Sequence, residues 1–125
     1  MIATYLAQIE NVLQAFPDIR AYTLQKKIYN TRQGYIGGTI TFGNGHRLDF
    51  IEVKDVDVAG KIKYRYQYMD ASQEMIFRYD NAPHHRDVRT FPHHKHTMDG
   101  VQESTEPSLH DVLLEIASIE RHSNR

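Results

Sequence analysis

Between residues 19 and 79 lie five runs rich in β-branched and aromatic residues, at about 19–29, 35–42, 47–53, 61–69 and 74–79, with only short breaks between them. Parallel strands need a crossover of roughly a dozen residues or more, so breaks this short restrict the chain to an antiparallel meander. The breaks carry turn chemistry: residues 30–34, Gly43-Asn44-Gly45, residues 55–60 and Asp70-Ala71-Ser72-Gln73. Side chains alternate across a strand, which sorts the fourth run into two faces. Ile62, Tyr64, Tyr66 and Tyr68 point one way, and Lys61, Lys63, Arg65, Gln67 and Met69 the other. In the fifth run Met75, Phe77 and Tyr79 share a face opposite Ile76, Arg78 and Asp80. A hairpin joining these two runs is expected to bring Arg65 near Arg78 on a charged face.

Helical spacing appears at both ends. Tyr5, Leu6, Ile9, Val12, Leu13 and Phe16 predict an amphipathic helix over about 4–16, stopped by Pro17. Leu109, Val112, Leu113, Ile116 and Ile119 predict a second, with Ser108 as N-cap and Asp111 at the capping-box position. After Asp80 the prolines of Asn81-Ala82-Pro83-His84-His85 and Phe91-Pro92-His93-His94 oppose helix and central strand, so this stretch reads as a loop or an edge, and 97–107 as a polar segment. The expected fold class is α+β: an N-terminal helix, an antiparallel meander of about five strands, a His-rich loop and a C-terminal helix, with both helices on one sheet face. At 125 residues the chain is expected to be a single domain, 1–125. It has no cysteine, which excludes disulfides and thiolate metal sites. No run approaches the ~20 apolar residues that span a bilayer, so no membrane partner and a cytoplasmic location are expected.

The formal charge of −1 argues against a generally basic nucleic-acid binder. Its distribution is uneven, because residues 61–96 carry seven basic against four acidic side chains. Five of the eight histidines, His84, His85, His93, His94 and His96, fall inside that positive segment. Two imidazoles placed across a phosphodiester can serve as base and acid, with Arg or Lys balancing the charge of the transition state. One takes the ribose 2′-OH proton, the oxygen attacks phosphorus, and the other protonates the departing 5′ oxygen. Adjacent residues on an extended chain point oppositely, so at most one of each His pair faces such a site, and His94 and His96 share a side. His93 or His94 with His84 or His85 is the favoured acid–base pair, with Arg78, Lys95, Arg65 and Arg89 as phosphate contacts and Asp80 and Tyr79 in support. A cofactor is not required by this chemistry. Zinc held by His84, His85, His94, His96 and Asp80 is the rival, although no HExxH or Cys/His spacing marks it. A binding module without turnover, using the charged face and the histidine segment, is the alternative from another class.

The string Tyr64-Arg65-Tyr66-Gln67-Tyr68-Met69-Asp70, then Arg78-Tyr79-Asp80-Asn81-Ala82-Pro83-His84-His85 and Thr90-Phe91-Pro92-His93-His94-Lys95-His96, resembles the TumE-like family of small prokaryotic toxins. The resemblance is strongest over 64–96, with Arg86-Asp87-Val88-Arg89 standing between the motifs like an insertion. It implies a growth-inhibiting toxin of a toxin–antitoxin pair, with a cognate antitoxin protein as partner and RNA as substrate; a homodimer is an allowed assembly. The positive segment leads us to expect that the antitoxin covers it with acidic residues.

Overall fold

The computed structural model describes residues 1–123. Helix α1 (Ile2–Ala15) leads into seven antiparallel strands, β1 (Ile19–Ile28), β2 (Gln33–Phe42), β3 (Arg47–Asp55), β4 (Lys63–Met69), β5 (Met75–Asp80), β6 (His94–Thr97) and β7 (Gly100–Glu103), and helix α2 (Leu109–Ser123) follows. The strands lie side by side in chain order, so the α+β meander expected from the short breaks is what forms. No described helix is long and apolar enough to cross a membrane.

The expected count of five strands is corrected to seven, because the histidine-rich stretch is not wholly a loop. Its two prolines, Pro83 and Pro92, both precede β6, so neither removes a donor from the ladder that His94, Lys95, His96 and Thr97 make with β5. The chain then turns back into β7 at Gly100, whose φ of +116° suits glycine. The fourth strand starts at Lys63 instead of Lys61, and Ile62, expected beside the tyrosines, lies outside it at 54% exposure.

One face of the sheet carries Ile36, Ile40, Leu48, Phe50, Tyr64, Tyr66, Tyr68 and Phe77, and these form one core with Leu6, Ile9 and Leu13 of α1 and Val112, Leu113 and Ile116 of α2. Both helices therefore cover the same face, as their apolar stripes require. At the start of α2 the backbone N–H of Asp111 donates to Ser108 Oγ and that of Ser108 to Asp111 Oδ2, each at 3.0 Å, completing the capping box. Between α1 and the sheet, Glu52 is 1% exposed and accepts from the hydroxyls of Tyr5 and Tyr66, the latter at 2.8 Å. Burial of these phenols beside that carboxylate pushes both well above the usual tyrosine range.

The opposite face is open, and pairing lays its residues in lateral rows. Gln25, Gly37, Ile51, Arg65, Asp80, His94 and Glu103 stand directly opposite one another from β1 to β7. The next row is Thr23, Thr39, Asp49, Gln67, Arg78, His96 and Val101. Arg65 thus faces Asp80 directly and has Arg78 as its diagonal neighbour on the same face.

Because the Glu52 carboxylate is buried, removing one of its two donors leaves charge without compensation. Tyr66→Phe is expected to lower stability by about 1–3 kcal/mol, measured by urea unfolding, with Glu52→Gln in the Tyr66→Phe background recovering part of the loss.

Candidate functional site

Pro83 and the turn after it carry the chain away from β5 and bring it back over the open face. Asn81 anchors the departure, accepting from the backbone N–H of Tyr64 at 3.1 Å and donating to the carbonyl of Ile62 at 3.1 Å. His85 then adopts φ of +60°, a left-handed conformation uncommon outside glycine but entered by histidine more readily than by most side chains. The reversal carries its ring to 5.1 Å from that of His94 and 5.4 Å from that of His96, centroid to centroid. His94 and His96 share a side of β6, as alternation demands, and their rings are 4.8 Å apart.

Asp80 sits beneath this group and is buried. Its Oδ1 accepts from the backbone N–H of Ala82 and lies 3.0 Å from His94 Nε2; its Oδ2 accepts from Arg78 Nε at 3.0 Å and lies 3.6 Å from His96 Nε2. His94 is 2% exposed, and its Nδ1 donates to the carbonyl of Pro92 at 2.9 Å, so both ring nitrogens are held and the ring cannot turn. Arg78 bridges the site: while Nε serves Asp80, Nη2 donates to His96 Nε2 at 3.1 Å. A guanidinium has no acceptor, so His96 meets it with a lone pair. Burial, then the positive charge of Arg78, pull the His96 imidazole below its ordinary range, and the nearby Asp80 carboxylate does not reverse this.

Beside the rings opens a cavity of about 370 Å³ lined by Arg65, Arg78, Asp80, Lys63, Asn81 and His84, among others. Arg65 and Lys63 are exposed here, and among the described residues neither is ion-paired. The site therefore combines the exposed His85 and half-buried His96 rings, backed by the buried His94, with cationic groups at one open surface.

Of the residues singled out from the sequence, His85, His94, His96, Asp80, Arg78 and Arg65 come together. His84 stands at the cavity mouth, its ring 6.5 Å from that of His85. The remaining four go elsewhere. His93 stacks on Tyr64 with Nδ1 2.9 Å from its hydroxyl. Lys95 points to the helix-covered face, where it pairs with Glu115 at 2.7 Å and lies over the rings of Phe77 and Tyr79. Tyr79 donates to the same Glu115 at 2.6 Å, and burial raises its phenol well above the usual range. Arg89 is exposed and pairs with Glu103 at 2.9 Å. Neither Lys95 nor His93 thus stands where the favoured set of the sequence reading would use it. Lys63 and Asn81 were not singled out; the alternation that marked Arg65 also puts Lys63 on its face, whereas nothing local distinguishes Asn81.

One nitrogen from each of His85, His94 and His96 lies within 4.8 Å of the others, and these residues can hold a metal ion with Asp80 Oδ1 adjacent to His94. Ligands at about 2.0–2.1 Å around a tetrahedral ion are roughly 3.4 Å apart, so the rings would have to draw closer to share one.

A family model described as Toxin TumE matches residues 9–121, nearly the whole chain. Searches of curated proteins and of solved structures found no match.

The position of His96 yields a pH prediction. Its imidazole is expected to titrate below the ordinary ~6.5, and Arg78→Gln to move the midpoint upward, both read from the ring proton shifts by NMR. Since the unfolded chain takes up this proton first, His96 adds stability above about 6.5 that is lost as the pH falls toward its folded midpoint.

Proposed function

This chain belongs to the TumE toxin family, toxins of toxin–antitoxin pairs, and on that footing we propose that it acts by cleaving RNA on the open sheet face. The observation that carries this reading is the convergence of three imidazoles beside Arg78 and Arg65 on one surface. His96 takes the proton of the ribose 2′-OH on Nε2, whose lone pair is released as Arg78 Nη2 turns from it to the phosphoryl oxygens. The 2′ oxygen attacks phosphorus, and the 5′ oxygen leaves with a proton from His85, which is exposed and sits on a turn. The products are a 2′,3′-cyclic phosphate and a 5′-hydroxyl, and solvent returns the proton from His96 to His85. Arg78 and Arg65 balance the charge that builds on the phosphoryl oxygens. Asp80 and His94 position Arg78 and the ring cluster without touching substrate. Lys95, committed to Glu115, takes no part in this scheme.

A second reading is favoured by one measurement, the 4.8 Å limit within which the three histidine nitrogens fall. With Asp80 they make a set of three nitrogens and a carboxylate that fits a divalent transition metal, and hydrolysis would then depend on that ion. The need for the rings to close favours the metal-free scheme.

The family implies a cognate antitoxin. Arg65 and Lys63, without an ion pair among the described residues, make the open face its natural target, and an acidic segment laid there blocks phosphate entry and associates faster for its charge. Its affinity is expected to fall as salt is raised, and Arg65→Ala to weaken it; an affinity that ignores both places neutralisation on another surface.

Purified protein incubated with total RNA and EDTA is expected to yield fragments ending in 2′,3′-cyclic phosphate, and His96→Ala or His85→Ala to slow cleavage by about 10²–10⁴-fold. Cleavage that needs added metal replaces this scheme with the second reading. Stoichiometric RNA binding with no cleavage under either condition replaces both with a binding module.

A further inference from the structure

The open face continues well past the histidines. A second depression of about 500 Å³ lies next to the first and shares Ile51 and Arg65 with it. The lateral row through His94, Asp80, Arg65, Ile51 and Gly37 runs from one to the other. From β6 to β2 this row covers four strand spacings, about 19 Å. Gly37 keeps the floor low: a Cβ there would stand 2.9 Å from the carbonyl oxygen of Phe50, so the position excludes any side chain.

The far end of the trough is aromatic and basic. Tyr29, 55% exposed, and Tyr35 lie there with ring centroids 6.4 Å apart, and the Lys27 ammonium is 5.5 Å from the centre of the Tyr29 ring. The middle is held by Arg65, with Lys63 at its side. The one carboxylate lining this second depression, Asp49, is paired with Arg47 at 2.9 Å.

We propose that this trough is a binding track for single-stranded RNA, leading from the histidine cluster across Arg65 to a base-stacking platform made by Tyr29 and Tyr35. The proposal rests on the RNA reading above and adds to it the form of the substrate. An unpaired strand offers both of the groups the trough receives, phosphates for Arg65 and Lys63 and free base faces for the tyrosines. A duplex keeps its bases stacked inside and presents the platform with nothing to hold. The span suits a strand near the lower end of the roughly 4–16 nucleotides that such surfaces cover.

The test uses the full chain and a fluorescent single strand of about ten nucleotides, methylated at every 2′ oxygen so that it cannot be cut. Anisotropy is expected to show binding by the wild type, about tenfold weakening by Tyr29→Ala and by Tyr35→Ala, and near-normal affinity for Tyr29→Phe. Arg65→Ala should weaken binding and reduce the slope of affinity against salt by about one. A duplex of the same length should compete poorly. Since the Tyr29 ring is on the surface, an unchanged Tm for Tyr29→Ala separates lost stacking from lost folding. Wild-type affinity in both alanine variants, or no binding of the single strand by the wild type, overturns the track. Cleavage of unmodified RNA by the wild type is scored separately. If it cuts RNA while the tyrosine variants bind normally, only the track falls. If it binds the strand through the tyrosines and cuts nothing, the track stands and the nuclease reading falls.

Discussion

A carboxylate at 6% exposure is costly unless its charge is answered, and Asp80 is answered on every side. Ala82 N–H, His94, Arg78 and, at slightly longer range, His96 surround its two oxygens. Each partner arrives by a different route: Arg78 from two positions back on the same strand, Ala82 from the turn that follows, and His94 and His96 from the neighbouring strand. The pairing of β5 with β6 therefore cannot slip by a residue without exchanging His94 and His96 for His93 and Lys95, which would leave the buried charge facing the wrong side chains. One interaction thus joins the register of the sheet edge to the geometry of the site.

The two faces of the sheet show why one half of the charged segment is structural and the other is free for chemistry. Both helices bury their stripes against the tyrosine-rich face, and the cations that fall on that side are absorbed there, Lys95 by Glu115 and Lys61 by Glu106. On the open face no element among the described residues covers Arg65 or Lys63, and both are exposed. The same alternation that produces a core on one side therefore produces an unscreened cationic surface on the other.

Much of this was legible in the chain. The short breaks required a meander, the spacing of Leu109 to Ile119 located the second helix, and the period of two separated Arg65, Arg78 and Asp80 from the tyrosines. It also placed His94 with His96. What remained hidden was the last pair of strands. Four-residue strands beside prolines carry too little periodicity to stand out from a loop, and only the unpaired edge of β5 gives them a reason to form. Lys95 illustrates the same limit: its charge suggested a phosphate contact, but its partner Glu115 lies on a helix whose position depends on the assembled core. The approach of His85 was hidden for a further reason, since a turn at φ of +60° leaves no signature in a run of polar residues.

The site that results is rigid on one side and adjustable on the other. Asp80, Arg78, His94 and His96 sit on paired strands, and each has at least one polar atom against another member of the group, so their spacing is set by the sheet. His85 belongs to a turn, is exposed, and meets the rings of His94 and His96 in T-shaped contacts, with no hydrogen bond fixing its nitrogens among the described residues. A base that abstracts a proton needs a fixed position relative to the attacking oxygen, because small displacements are costly at that step. An acid that must follow a departing oxygen tolerates, and gains from, some travel. The distribution of order over these residues therefore supports the proposed roles of His96 as base and His85 as acid, on grounds independent of the charge of either ring.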